Sequence, residues 1–164
     1  PLASASALSS RCPSAPVTPE MMEFPPFIAS KMGMDPVLTS GILATLLEEA
    51  AKAHPLECCG LLLGQGDRVD EARPTANVHP DPARHFEIDP AALIAAHRAA
   101  RGGGAQVLGY YHSHPTGRAE PSATDRAMAS GDGRIWAIVA DQTVRLWRDD
   151  PTGFQPLPLR VAAG

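Results

Sequence analysis

The apolar positions change period along the chain, and each change marks a predicted element. Leu38, Ile42, Leu46 and Leu47 share one helical stripe, predicting a first helix that opens at Asp35-Pro36 and ends near His54-Pro55. Residues 58–63 and 68–78 predict a strand pair around the turn-rich connection Gly64-Gln65-Gly66-Asp67. Residues 90–101 predict a second helix, stopped by Gly102-Gly103-Gly104. An apolar run over 106–111 predicts a strand, 122–130 a third helix, and 135–140 with 144–147 a hairpin turned at Asp141-Gln142. Trp136 and Trp147 fall on the hairpin strands and are expected in the core. This order predicts an α/β, or mixed α+β, fold: one mixed sheet flanked by helices.

Residues 1–33 break the pattern. They are rich in Pro, Ser and Ala without sustained periodicity, and are expected to be disordered or foreign to the native protein. They lack the basic start and clean apolar stretch of a signal peptide. Methionines at 21, 22, 32 and 34 offer several starts, of which Met34 fits best, so the folded domain is expected to span residues 34–164.

Composition adds bounds rather than chemistry. A chain of 164 residues with 44% hydrophobic content can bury one good core. A formal net charge of -4 without a basic run leaves no footprint for nucleic acid. No stretch approaches the roughly 20 apolar residues that cross a bilayer. Of the three cysteines, Cys58 and Cys59 are neighbours on an apparent buried strand and point to opposite faces, while Cys12 lies in the irregular leader. No disulfide framework follows, and a reduced, cytoplasmic residence is expected.

The chemistry concentrates at His112-Ser113-His114-Pro115, followed by Ser122 and Asp125. Two histidines one residue apart project from the same face of an extended strand, so both imidazoles can reach one metal. A carboxylate in the first turn of the following helix can swing back to the strand end. The set His112, His114, Asp125 leaves a fourth position open for water, as a catalytic zinc requires, whereas structural zinc sites are closed by four ligands and rich in cysteine. A proton acceptor for that water is still needed. Glu57, at the junction between the first helix and the strand 58–63, is the best candidate. Taken alone, Ser122 and Asp125 read as an ordinary helix-capping box, and His112 and His114 as a polar strand end. At this joint spacing they read as a site. His54, His79, His85 and His97 are scattered and are expected to be solvated or packed. Arg118 and Glu120 lie in the loop between the ligands, where solvation is the default and substrate contact the alternative.

The pattern H-x-H-P, a gap of seven residues after His114, then S-x-x-D, with Glu57-Cys58-Cys59-Gly60-Leu61-Leu62-Leu63-Gly64 upstream, resembles the JAMM (MPN-plus) metalloproteases. Asn77-Val78 and His85-Phe86-Glu87-Ile88-Asp89-Pro90 are similar to the compact prokaryotic branch of that family. The resemblance covers nearly everything from Asp35 onward, and no position of the motif is missing. It implies that His112, His114 and Asp125 bind Zn2+, that Glu57 is the general base and acid, and that Ser122 stabilises the oxyanion. It gives Cys58 and Cys59 no catalytic role.

Residues alone reach only an amide or peptide bond. The resemblance implies more: cleavage after the terminal Gly-Gly of a ubiquitin-like or sulphur-carrier protein, either trimming its C-terminus or releasing an attached amino acid or lysine-linked protein, with the tail expected to enter as an added strand beside the site. The alternatives are a non-catalytic interaction module on the same fold, against which the complete set of chemical groups argues, and a RadC-like or phage-tail-associated relative. A zinc deaminase is disfavoured because its P-C-x-x-C element is absent.

Overall fold

The computed structural model describes residues 35–162, and the expectations placed on residues 1–33, on Cys12 and on Met34 lie outside them. Asp35-Pro36 do not open a helix. They lead into a strand, β1 (Val37–Thr39), and α1 (Ser40–Ala53) begins where Thr39 Oγ1 accepts from the Ile42 N–H at 3.3 Å. The cause is non-local: β1 pairs in parallel with β8 (Arg160–Ala162), Leu38 opposite Val161. Leu38 still buries with Ile42 and Leu46 in one cluster, so the apolar stripe was a core signal that crosses an element boundary.

The antiparallel pair β2 (Cys59–Gln65) and β3 (Arg68–Thr75) turns at Gly66-Asp67, with Gly66 at φ +64°, a conformation glycine adopts without strain. β3 ends before the expected 78 because Asn77 leaves the ladder, keeping only an isolated bridge to Ile88. α2 (Pro90–Arg101) matches expectation, capped by Asp89 Oδ1 on the Ala91 N–H at 2.9 Å. β4 (Gln106–Ser113) runs past residue 111 and carries His112 within the strand. α3 (Ala123–Met128) is shorter than expected, since the buried Asp149 carboxylate takes the Ser130 and Gly131 N–H groups at 2.9 and 3.0 Å and draws the chain away. β5 (Ile135–Ala140) and β6 (Thr143–Asp150) form the expected hairpin, with Asp141 and Gln142 both at positive φ. β7 (Gly153–Leu157), like β1 and β8, carries no signal that the sequence reading used.

The eight strands of the described residues form one mixed sheet in the order β7-β6-β5-β4-β2-β3-β1-β8, with β4 parallel to β5 and antiparallel to β2. The period of two sorts its side chains onto two faces. Leu62, Tyr111, Ala137, Val139 and Leu146 meet Ile42 and Leu46 of α1, while Leu61, Leu63 and Val107 meet Ala96 of α2. The fold is the expected sheet flanked by helices. Gly60 matters to this packing: a Cβ there would stand 2.3 Å from the Arg73 carbonyl oxygen and 2.4 Å from the Tyr111 ring. Cys58 and Cys59 are free thiols on opposite faces, Cys58 against the α1 core and Cys59 Sγ 3.6 Å from Thr75 Oγ1. Among the described residues no helix is long and apolar enough to cross a membrane.

Candidate active site

β4 delivers His112 and His114 to the same side of the sheet, and α3 delivers Asp125 to meet them. Ser122 sets the position of that carboxylate: its Oγ accepts from the Asp125 N–H at 3.1 Å, and its own N–H donates to Asp125 Oδ2 at 2.6 Å. Capping box and convergent site are thus one construction, since the remaining oxygen, Oδ1, lies 3.2 Å from His112 Nε2. The two imidazole Nε2 atoms are 3.0 Å apart, and His114 Nε2 is 3.4 Å from Asp125 Oδ2. One ligand atom from each of the three residues falls within 4.8 Å of the others, a grouping among the described residues that could hold a metal ion.

The hydrogen-bonding of this set fits a cation. His114 Nδ1 lies 2.8 Å from the Arg118 carbonyl oxygen, which can only accept, so Nδ1 carries the proton and Nε2 presents its lone pair to the cluster. The ionised Asp125 also offers only lone pairs. A single proton on His112 Nε2 can serve one of these acceptors, whereas a divalent ion serves all three donor atoms. Burial lowers the pKa of His112, which is fully enclosed, and favours the neutral imidazole that binds metals. Phe86 stacks on the His112 ring at 4.2 Å and 18°, and Trp136 meets it edge-on at 5.8 Å.

Glu57 approaches from the neighbouring strand. β2 pairs Cys59 with His112, and continuing that register past the strand end sets Glu57 opposite His114, on the same side of the sheet. Its carboxyl is raised to about 7, first by burial, which leaves the residue 7% exposed; the charge of His114 lowers it and that of Asp125 raises it. A cleft of about 370 Å³, lined by Glu57, Leu56, Asn77, Pro82, Glu49 and Lys52, opens beside it.

Of the other residues singled out in the sequence, His54, His79, His85 and His97 stay outside the ligand group. Arg118 contributes its carbonyl, and Glu120 pairs with Arg145 at 3.3 Å. Trp136 is buried as expected, and the half-buried Trp147 donates to the Ala119 carbonyl oxygen at 3.1 Å, tying the inter-ligand loop to β6. Sequence reasoning assigned no function to Ser113, Asn77 or Phe86. Asn77 and Phe86 stood only as marks of resemblance, and Ser113 was visible only as the spacer between two histidines.

A family model for prokaryotic homologs of the JAB domain matches residues 39–150, which contain every element of this site. The chain belongs to this prokaryotic JAB family. Its JAB domain is 34% identical over 138 residues to the desampylase of Haloferax volcanii, covering 81% of this chain and 98% of that protein. It is 43% identical over 85 residues to a probable TtuB-protein conjugate cleaving protease of Thermus thermophilus, covering 49% of this chain and 56% of that one. The solved JAB1/MPN domain protein of Archaeoglobus fulgidus superposes with a TM-score of 0.54 at 25% identity, over 79% of this chain and 99% of that chain. The mixed sheet with its helices is therefore the JAB/MPN architecture.

Proposed function

We propose that this JAB domain is a zinc-dependent peptidase or isopeptidase that hydrolyses the amide bond after the C-terminal Gly-Gly of a ubiquitin-like or sulphur-carrier protein. The observation that carries the reading is the convergence of His112, His114 and Asp125 within 4.8 Å, with the buried Glu57 set across the strands from His114. The relatives support the substrate class, since one is named a probable TtuB-protein conjugate cleaving protease and the other a desampylase.

His112, His114 and Asp125 would hold the ion. Zinc bound there supplies a Lewis acid that polarises the scissile carbonyl and makes water a nucleophile near neutral pH. Glu57 takes the proton of the attacking water and returns it to the departing amine. Burial raises this carboxyl above the ordinary carboxylate range, which suits a group that must accept a proton as well as return it. Ser122 Oγ accepts the Asp125 N–H, which leaves its own hydroxyl proton free to donate to the developing oxyanion. Phe86 and Trp136 shield His112 from water, strengthening the electrostatics of the site.

The catalytic unit is residues 34–164, with residues 1–33 dispensable. We place its work in the cytoplasm, a reading that rests on two unpaired cysteines, one of them buried. The test is to incubate zinc-loaded protein with the ubiquitin-like proteins of its own source, each fused through Gly-Gly to a short reporter peptide, and to read product masses. Cleavage after Gly-Gly that stops on chelation is the expected result. Intact fusions throughout, with zinc bound, would overturn the reading.

A further inference from the structure

The peptide unit joining Glu57 to Cys58 is held on both of its polar sides by side chains. It lies just before β2 begins, where the last backbone bond to β4 runs from the Ser113 N–H to the Cys58 carbonyl oxygen at 3.1 Å and leaves the Glu57 carbonyl and the Cys58 N–H to side-chain partners. Asn77 Nδ2 donates to the Glu57 carbonyl oxygen at 2.9 Å, and the Cys58 N–H donates to Ser113 Oγ at 2.9 Å. The Glu57 N–H is taken in turn by the Pro82 carbonyl oxygen at 2.7 Å. We infer that Asn77 and Ser113 are positioning residues for the Glu57 carboxylate, acting through this one peptide unit. The inference rests on the reading of Glu57 as the proton-transfer group.

Each clamp is rooted in the ligand frame. Ser113 sits between His112 and His114 on β4 and is 3% exposed, so its hydroxyl moves only if the ligand strand moves. Asn77 uses both ends of its amide: Nδ2 also reaches the His85 carbonyl oxygen at 3.0 Å, while Oδ1 accepts from the His79 and Glu87 N–H groups at 3.1 and 3.0 Å. The loop so tied carries Phe86, which lies on His112. Four bonds to backbone groups, three of them to one loop and one to the base, make Asn77 the joint between the cover of a ligand and the backbone of Glu57. A proton-transfer group must sit within about 2.6–3.2 Å of its partner, and a misplacement of about 1 Å can cost on the order of 100-fold in rate. Clamps on the preceding and following groups of one peptide meet that demand without touching substrate.

The experiment uses the zinc-loaded protein and the Gly-Gly-linked fusion. Ser113→Ala removes the acceptor of the Cys58 N–H. Asn77→Asp removes the donor to the Glu57 carbonyl while keeping an acceptor for the loop. Each is expected to lower kcat by about 10- to 100-fold, with KM and zinc content within about twofold of the parent. Ser113→Thr, which keeps the hydroxyl, should restore most of the loss. In a Glu57→Gln background neither substitution should cost further activity, because the group they position is gone. Equal losses in the presence and absence of the Glu57 carboxylate, or parental kcat in both variants, would overturn the inference. Should Ser113→Ala fail to fold, Asn77→Asp decides from the other side of the peptide. Parental turnover in Glu57→Gln alone would instead remove the base assignment.

Discussion

Ser122 and Asp125 hold each other in a reciprocal pair, N–H to carboxylate at 2.6 Å and N–H to hydroxyl at 3.1 Å, and this pair aims the carboxylate at His112. Capping and catalysis by Ser122 can be separated by substitution. Asp caps helices well, so Ser122→Asp should keep the fold and metal while placing an anion where negative charge must develop; turnover should fall strongly. Ser122→Ala should lose about 1 kcal/mol of stability as well as activity. Steady-state kinetics with metal analysis on both variants checks this, and parental turnover in Ser122→Asp would leave Ser122 as a cap alone.

Glu57→Gln preserves volume and removes the proton acceptor. Metal content and melting temperature should stay close to the parent, while kcat falls by about 100- to 10,000-fold.

Zinc is expected at one ion per chain. His114→Ala should abolish tight binding, since it removes one of the three convergent donors. Elemental analysis is the check, and full, tight occupancy in a His112→Ala, His114→Ala double variant would sink the assignment.

The motif H-x-H followed by S-x-x-D was legible because its ligands ride on two consecutive elements, a strand and the helix start after it, so local spacing determines where the side chains meet. The sheet was legible where apolar runs are continuous, as in residues 106–111 and 135–140. It was not legible at β1 and β8, whose three-residue strands exist because opposite ends of the folded region pair in parallel. Asn77 and Phe86 were hidden for a related reason: they lie in a segment with no periodicity of its own, and their partners, Glu57 and His112, are 20 and 26 positions away, beyond intervening strands and a helix.

The fit of Tyr111 over Gly60 gives a paired stability prediction. Gly60→Ala forces a methyl group against both a backbone oxygen and a buried ring, and should cost about 3 kcal/mol or more. Tyr111→Phe should change stability by no more than about 1 kcal/mol in either direction, because the buried hydroxyl has no hydrogen-bond partner among the described residues. Thermal and urea unfolding of the two variants should therefore diverge sharply.

Alkaline sensitivity follows from the buried thiol. Burial pushes the Cys59 pKa up to about 11, and burial raises that of Tyr111 as well. The folded state keeps protons that the unfolded chain releases from about pH 8.5 upward, so the stability contributed by Cys59 is complete below that value and is lost as pH rises towards 11. Unfolding free energy should fall between pH 8.5 and 11, and Cys59→Ala should flatten the slope. An unchanged slope in that variant would contradict the assignment.

β4 has β2 on one side and β5 on the other, near the middle of the eight strands. The backbone beneath His112 can therefore open only when much of the sheet opens with it, while the loop bearing Phe86 is fastened by a handful of bonds centred on Asn77. The floor and the roof of the site should exchange their amide hydrogens on different clocks. Deuterium uptake along β4 should track global unfolding, whereas residues 78–87 should exchange sooner.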